Sequence, residues 1–245
     1  MIAVLSPAKR IEPTRREGLA LTLPAGQQKA GRLAALLREY APWQLESVLR
    51  TGPALALAAY ADYQRFDEGA RTGAAALSYR GLAFGHLSAG TLDDGTLQYA
   101  QEHLRILSAL YGPLRPLDEI APYRLDFLAR LKVQGESLYR FWGRDCYEAL
   151  FRPGQVVVNL ASAEYAKTFL PYLAAGDRLV TCEFLTCRRG RLLCLATEAK
   201  MARGEMARFL LRERLERPDQ LQAFAWEGYT FSPEHSSGEK MVFLR

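Results

Sequence analysis

Four short stretches of this chain carry residue types that could do chemistry. The first, Ser6-Pro7-Ala8-Lys9-Arg10, follows directly on a short apolar run. A proline-fixed turn that presents an ammonium and a guanidinium suits phosphate, the lysine as a point charge and the arginine through two parallel hydrogen bonds. It lacks the glycines with which a Walker loop wraps phosphate in backbone amides. The second, Arg50-Thr51-Gly52-Pro53, joins two helical patterns. Amides at the start of the second helix could face a phosphate backbone without reading bases; an ordinary helical hairpin has the same spacing. In the third, Val156-Val157-Val158 runs into Asn159-Leu160-Ala161-Ser162-Ala163-Glu164-Tyr165-Ala166-Lys167. Either Ser162 caps a helix whose first turn carries Glu164, or Asn159, Ser162, Tyr165 and Lys167 stand at the carboxyl end of a strand and face a cleft. The fourth places Lys200, Arg203 and Arg208 within one broad side of a helix, with Met201, Phe209 and Leu210 turned inward. A cationic face suits a phosphate backbone, and Glu205 paired with Arg208 three residues on would equally make it ordinary solvated surface.

Other chemistry is missing from the sequence. No G-x-S-x-G elbow, H-E-x-x-H helix or glycine-rich dinucleotide turn is present, so no cofactor is expected. Cys146, Cys182, Cys187 and Cys194 lack C-x-x-C spacing, and His86, His103 and His235 are scattered, so no metal site is expected. Cys182, Cys187 and Cys194 lie in strand-like stretches beside Val180, Phe184, Leu193 and Leu195, which predicts buried, unpaired thiols. Aromatic residues adjoin cations in Tyr139-Arg140-Phe141-Trp142-Gly143-Arg144, but Phe141 and Trp142 are expected in the core, where they could not stack on bases.

The elements that must position these residues follow the alternating pattern of one α/β domain spanning residues 1–245. A buried strand is predicted over 2–5, amphipathic helices over 27–40 and 54–65 with a further helix opening at Pro42, and alternating pieces over 77–84, 93–103, 104–110, 138–151 and 156–160. The runs 179–186 and 191–197 flank Cys187-Arg188-Arg189-Gly190 and predict a hairpin; a helix over 198–214 and a last strand over 241–244 follow. Lysine and arginine outnumber acids 32 to 27, for a net charge of +5 and a pI near 9.1. The excess is concentrated between Arg178 and Arg217, which favours a polyanion as partner. With no signal-peptide pattern and no apolar run near the ~20 residues of a membrane span, a cytoplasmic monomer is expected.

Taken in order, these blocks resemble the YaaA peroxide-stress protein family. The marks are Leu5-Ser6-Pro7-Ala8-Lys9, the stretch from His103-Leu104-Arg105 through Tyr111-Gly112-Pro113-Leu114-Arg115-Pro116-Leu117-Asp118, and Pro122-Tyr123-Arg124-Leu125. Phe141-Trp142-Gly143, Asn159-Leu160-Ala161-Ser162, the run Ala199-Lys200-Met201-Ala202-Arg203-Gly204, and Glu227-Gly228-Tyr229 complete them. The resemblance implies a single α/β domain, a mixed sheet flanked by helices, with a helix-hairpin-helix element and a basic cleft. It further implies DNA binding and protection against peroxide by limiting iron-driven damage. Carried over by position, the hairpin falls at Arg50, Thr51 and Gly52, and the cleft collects Lys9, Lys167, Lys200 and Arg203. Arg10 replaces the family's usual threonine, and Ala54 stands where the hairpin's second glycine would be. DNA binding through the backbone, with Lys9, Arg10, Arg50, Thr51, Gly52, Lys167, Lys200, Arg203 and Arg208 as contacts around Ser6, Asn159, Ser162 and Tyr165, is the leading expectation. The alternative is an enzyme on a nucleotide or base-like molecule using Lys9, Asn159, Tyr165 and Lys167.

Overall fold

The computed structural model describes residues 1–66 and 72–245. Its centre is a nine-stranded sheet. The strands are β1 (Ile2–Leu5), β2 (Leu104–Ser108), β3 (Gly112–Leu114), β4 (Val156–Asn159), β5 (Arg178–Arg188), β6 (Arg191–Leu193), β7 (Ala225–Trp226), β8 (Tyr229–Phe231) and β9 (Lys240–Leu244). They lie in the order β7-β8-β9-β5-β4-β1-β2-β3, with β6 paired to β5. Strands β2, β1, β4, β5 and β9 are mutually parallel, and the rest are antiparallel additions. This is a mixed α/β sheet, as expected.

The apolar runs explain the centre. β1, β2 and β4 are buried along their whole length, as strands covered on both faces must be. Taken in chain order, the parallel strands stand second, first, third, fourth, fifth across the sheet. The chain leaves β1 for a neighbour on one side and later returns to the other side at β4. The loops after β1 and β4 therefore diverge, and a doubly wound sheet has its ligand crevice at such a reversal.

Helices Gln27–Arg38, Pro42–Leu49, Pro53–Gln64, Asp94–His103 and Ala196–Arg212 cover the sheet and its ends. The last of these packs on the short helix Leu82–Leu87, and glycine permits the approach: a Cβ on Gly204 would overlap the carbonyl of Ala83. At the opposite edge, Gly112 has φ +72°, and a Cβ there would lie 2.5 Å from the Trp142 ring. Trp142 donates from Nε1 to Ala109 O at 2.9 Å, so the Gly-Pro turn and the tryptophan are one packed unit.

Several expectations need correction. The piece over 77–84 divides into the short helix Ala75–Ser78, a two-residue strand Tyr79–Arg80 and the start of Leu82–Leu87. The piece over 138–151 breaks into Leu138–Trp142 and Asp145–Leu150, because Gly143 takes φ +54°. The hairpin's second strand stops at Leu193, and the helix begins at Ala196, within the range read as strand. Cys187 and Cys194 are exposed, since β6 lies on the protruding end of β5 beyond the covered sheet; Cys146 and Cys182 are buried, and all four are unpaired.

Candidate functional site

A cavity of about 390 Å³ opens at the reversal point, within the range of small-molecule sites. Its floor is the end of β1 and the turn after it, from Leu5 to Arg10. Leu160, Ser162, Glu164 and Tyr165 come from the β4 loop, Arg80 through Phe84 from the segment entering Leu82–Leu87, and Lys200 and Arg203 from Ala196–Arg212.

The two strand-end loops are tied directly. The Ser162 amide donates to Ser6 Oγ at 2.9 Å, and Ser6 Oγ–H donates to Ser162 Oγ at 3.3 Å. Ser162 precedes the short helix Ala163–Ala166 but makes no side-chain cap; its hydroxyl is engaged by Ser6 instead. Asn159 is buried, accepts from the Ala161 amide at 3.0 Å and donates to Thr181 Oγ1 at 3.4 Å. It therefore shapes the turn out of β4 and does not line the cavity.

The cations of the wall differ in their company. Lys9 Nζ lies 2.9 Å from Asp126 Oδ2. Arg10 and Arg80 are directly opposite each other in a two-residue antiparallel ladder, a repulsive placement offset by Glu12, with which both pair. Arg80 also donates to Leu77 O at 2.6 Å and to Thr14 Oγ1 at 2.8 Å. Arg203 has looser company: its Nε is buried without a hydrogen-bond partner, and although the charges of Cys194, Cys182 and Glu183 act on its guanidinium, no acid lies within ion-pair distance among the described residues. Burial lowers the pKa of its guanidinium, the direction for a cation held out of water. Lys200, three residues earlier, is exposed and likewise unpaired among the described residues.

One acid lines the cavity. Glu164 accepts from the Phe127 amide at 3.0 Å, and its carbonyl accepts from Tyr139 Oη at 3.0 Å. Burial, and then the charge of nearby Asp126, raise its carboxyl above the ordinary value. Tyr165 is buried against Phe127, its ring edge-on at 5.4 Å, and burial raises its phenol as well.

Of the expected site residues, the cavity brings together Ser6, Lys9, Arg10, Ser162, Tyr165, Lys200 and Arg203. Lys167 is exposed outside it. Arg208 turns away and donates to the carbonyls of Leu87 and Ser88 at 3.0 and 3.1 Å, closing the carboxyl end of helix Leu82–Leu87. Its expected partner Glu205 pairs with His86 instead, at 2.9 Å.

Arg50, Thr51 and Gly52 join helices Pro42–Leu49 and Pro53–Gln64, with Arg50 left-handed at φ 52°. This pair is anchored near the cavity rim: Tyr63 Oη, on the second helix, donates to Arg124 O at 2.7 Å, two residues before Asp126. Sequence reasoning missed Arg80 and Asp126 altogether and read Glu164 only as a first-turn acid. For Asp126 the one signal was its place immediately after the Pro122-Tyr123-Arg124-Leu125 block. No three histidine, cysteine or acidic side chains group as metal ligands among the described residues, and no helix there is long and apolar enough to cross a membrane.

Fold and site together define a mixed α/β protein, its sheet flanked by helices, with a cavity at the reversal of the parallel strands. The chain belongs to the family described as peroxide stress protein YaaA, whose model matches residues 1–235. It is 36% identical over 242 residues to a UPF0246 protein of Lacticaseibacillus paracasei, covering 98% of each chain. It is 40% identical over 257 residues to a UPF0246 protein of Ralstonia nicotianae, covering 100% of this chain and 99% of the relative.

Proposed function

We propose that this protein binds DNA through the phosphate backbone, seated at the crevice, with the Arg50-Thr51-Gly52 junction as a second contact. The observation that carries this reading is the pair Lys200 and Arg203, neighbouring cations on the crevice wall with no acid partner among the described residues. A half-buried arginine without a counter-ion is costly unless an anion completes it. Phosphate contacts position a protein on DNA without reading sequence, so little base preference is expected. Within a peroxide-stress family, the protection follows from covering the genome against iron-driven oxidation. The crevice is built from one chain, and a cytoplasmic monomer suffices for the activity.

Fluorescence polarisation with duplex, bubble and junction DNA at two salt concentrations tests this. Affinity should fall steeply with salt, and Lys200→Ala should reduce the slope of log affinity against log salt by about 0.9, the value for one phosphate contact. Salt-independent binding, or an unchanged slope in the variant, would overturn the assignment.

A second reading, an enzyme acting on a nucleotide or base-like molecule, is favoured by one observation. Glu164, with its raised pKa, shares the cavity wall with Lys9, whose partner Asp126 lies beside it, and clusters of this kind perform proton transfer. Lys9→Arg discriminates. It keeps the charge and should keep DNA affinity, but arginine cannot give up a proton near neutrality. Loss of cellular peroxide protection with DNA binding intact would favour the enzyme.

A further inference from the structure

The geometry points to a mononucleotide subsite: the crevice takes one nucleoside-phosphate unit, its phosphate on Arg203 and Lys200 and its base between the apolar wall and the Glu164 carboxyl. This inference rests on the nucleic-acid reading and goes beyond it, because backbone binding alone needs only a surface track of cations, not a cavity.

Three observations carry it. First, the cavity is recessed and bounded by Leu5, Phe84, Leu160 and Tyr165, which are buried. An intact duplex cannot enter such a space, whereas a nucleotide turned out of its stack can, and apolar and aromatic walls are what receive such a base. Second, the unsatisfied cation and the acid come from different elements. Arg203 belongs to helix Ala196–Arg212, and Glu164 follows β4, so a ligand with an anionic end and a hydrogen-bonding edge would engage both. Third, the neighbouring cations are already committed, Lys9 to Asp126 and Arg10 and Arg80 to Glu12, which leaves Arg203 and Lys200 as the open anion contact. The raised pKa of Glu164 is in keeping with this, since a carboxyl that holds its proton more readily can both donate and accept at a base edge.

The nucleotide could be free or part of a strand, and competition distinguishes the two. The full chain is titrated with labelled paired duplex and with the same duplex carrying a one-nucleotide bulge. Deoxynucleoside monophosphates, the corresponding nucleosides and inorganic phosphate serve as competitors. Tighter binding of the bulged duplex by tenfold or more, displaced by monophosphates at least tenfold more effectively than by phosphate or nucleoside, is the expected result. Arg203→Met should abolish that preference and lower duplex affinity as well, since Arg203 is also a backbone contact. Leu82→Trp, which narrows the mouth without altering charge, should abolish the preference while duplex affinity changes less than threefold; unfolding curves of both variants establish that they are folded.

If monophosphates compete no better than phosphate and the bulge confers nothing, while duplex binding remains salt-dependent, the subsite is overturned and the DNA-binding proposal stands. If monophosphates bind and no DNA does, the subsite stands as a site for free nucleotide and the DNA-binding proposal fails. Absence of all binding overturns both.

Discussion

Two arginines, one buried and one half-buried, have opposite surroundings in this protein. Arg105, in β2, is buried, yet its guanidinium donates to Gln101 O at 2.6 Å and Leu104 O at 2.8 Å. The side chain of Gln101 in turn accepts from the Leu117 amide at 2.7 Å and donates to Thr22 Oγ1 at 3.2 Å. Thr22 Oγ1 donates to Asp118 Oδ1 at 2.6 Å, and Arg115 donates to the same carboxylate from its amide and Nε at 2.8 and 3.2 Å. That network closes on itself. Arg203, by contrast, ends in a cavity with its Nε unanswered. The same residue type is structural where its hydrogen bonds are completed internally and exposed to a ligand's demand where they are not.

The sharpest way to break the comparison is Asp118→Ala. Burial raises this carboxyl's pKa despite its bonds to Thr22 and Arg115, and removing it strands those donors inside the protein. A loss of about 3 kcal/mol in urea unfolding is expected, with DNA affinity of the folded fraction unchanged. Loss of affinity would show that the closed network also serves binding. Next in size is Gly204→Ala. The added methyl must push helix Ala196–Arg212 off Ala83, at about 2 kcal/mol by overpacking, and the displaced Lys200 and Arg203 should weaken binding as well. An unaltered melting temperature would mean that the helix shifts without strain.

Arg203→Met gives the comparison its clearest contrast, because here stability should rise by about 1 kcal/mol as a desolvated, unpaired charge is removed. A drop in the urea midpoint instead would show that Arg203 is a structural residue like Arg105. The smallest effect concerns pH. Because Glu164 is raised in the folded state, its proton is held more tightly there than in the unfolded chain. Its stabilising contribution is present at pH below the unfolded value and is lost as pH rises through the folded one. Ionised, it also opposes an incoming phosphate. DNA affinity should therefore strengthen on acidification, and Glu164→Gln should bind more tightly at neutral pH with a flatter profile; parallel profiles would remove Glu164 from the site.

Much of this architecture was legible because it is written in local periodicity. Val156–Asn159 is a wholly apolar run into a polar residue, and Ala196–Arg212 alternates small and cationic positions at helical spacing. The first, third and fourth chemical stretches converge in one cavity because all lie at or above the carboxyl ends of β1 and β4. Strand order is a tertiary fact that no local pattern encodes, and for that reason Arg80 and Asp126 went unnoticed. Arg208 shows the reverse failure. Helical spacing placed it with Lys200 and Arg203, but two open carbonyls at Leu87 and Ser88 captured it. The thiols of Cys187 and Cys194 were misjudged because strand propensity does not say how far a strand outruns the layer that covers it.

The position of β9 has a consequence for how the molecule comes into being. Lys240–Leu244 lies inside the sheet, parallel to β5 on one side and carrying the β7–β8 hairpin on the other. A ribosome making this chain has therefore released β5 long before the strand that must flank it exists. Until Lys240–Leu244 emerges, the Thr181–Leu185 edge offers unpaired amides and carbonyls to any other strand nearby. Parallel pairing at such sequence separation is slow to form, so the nascent protein passes through a state open to aggregation that the finished fold conceals.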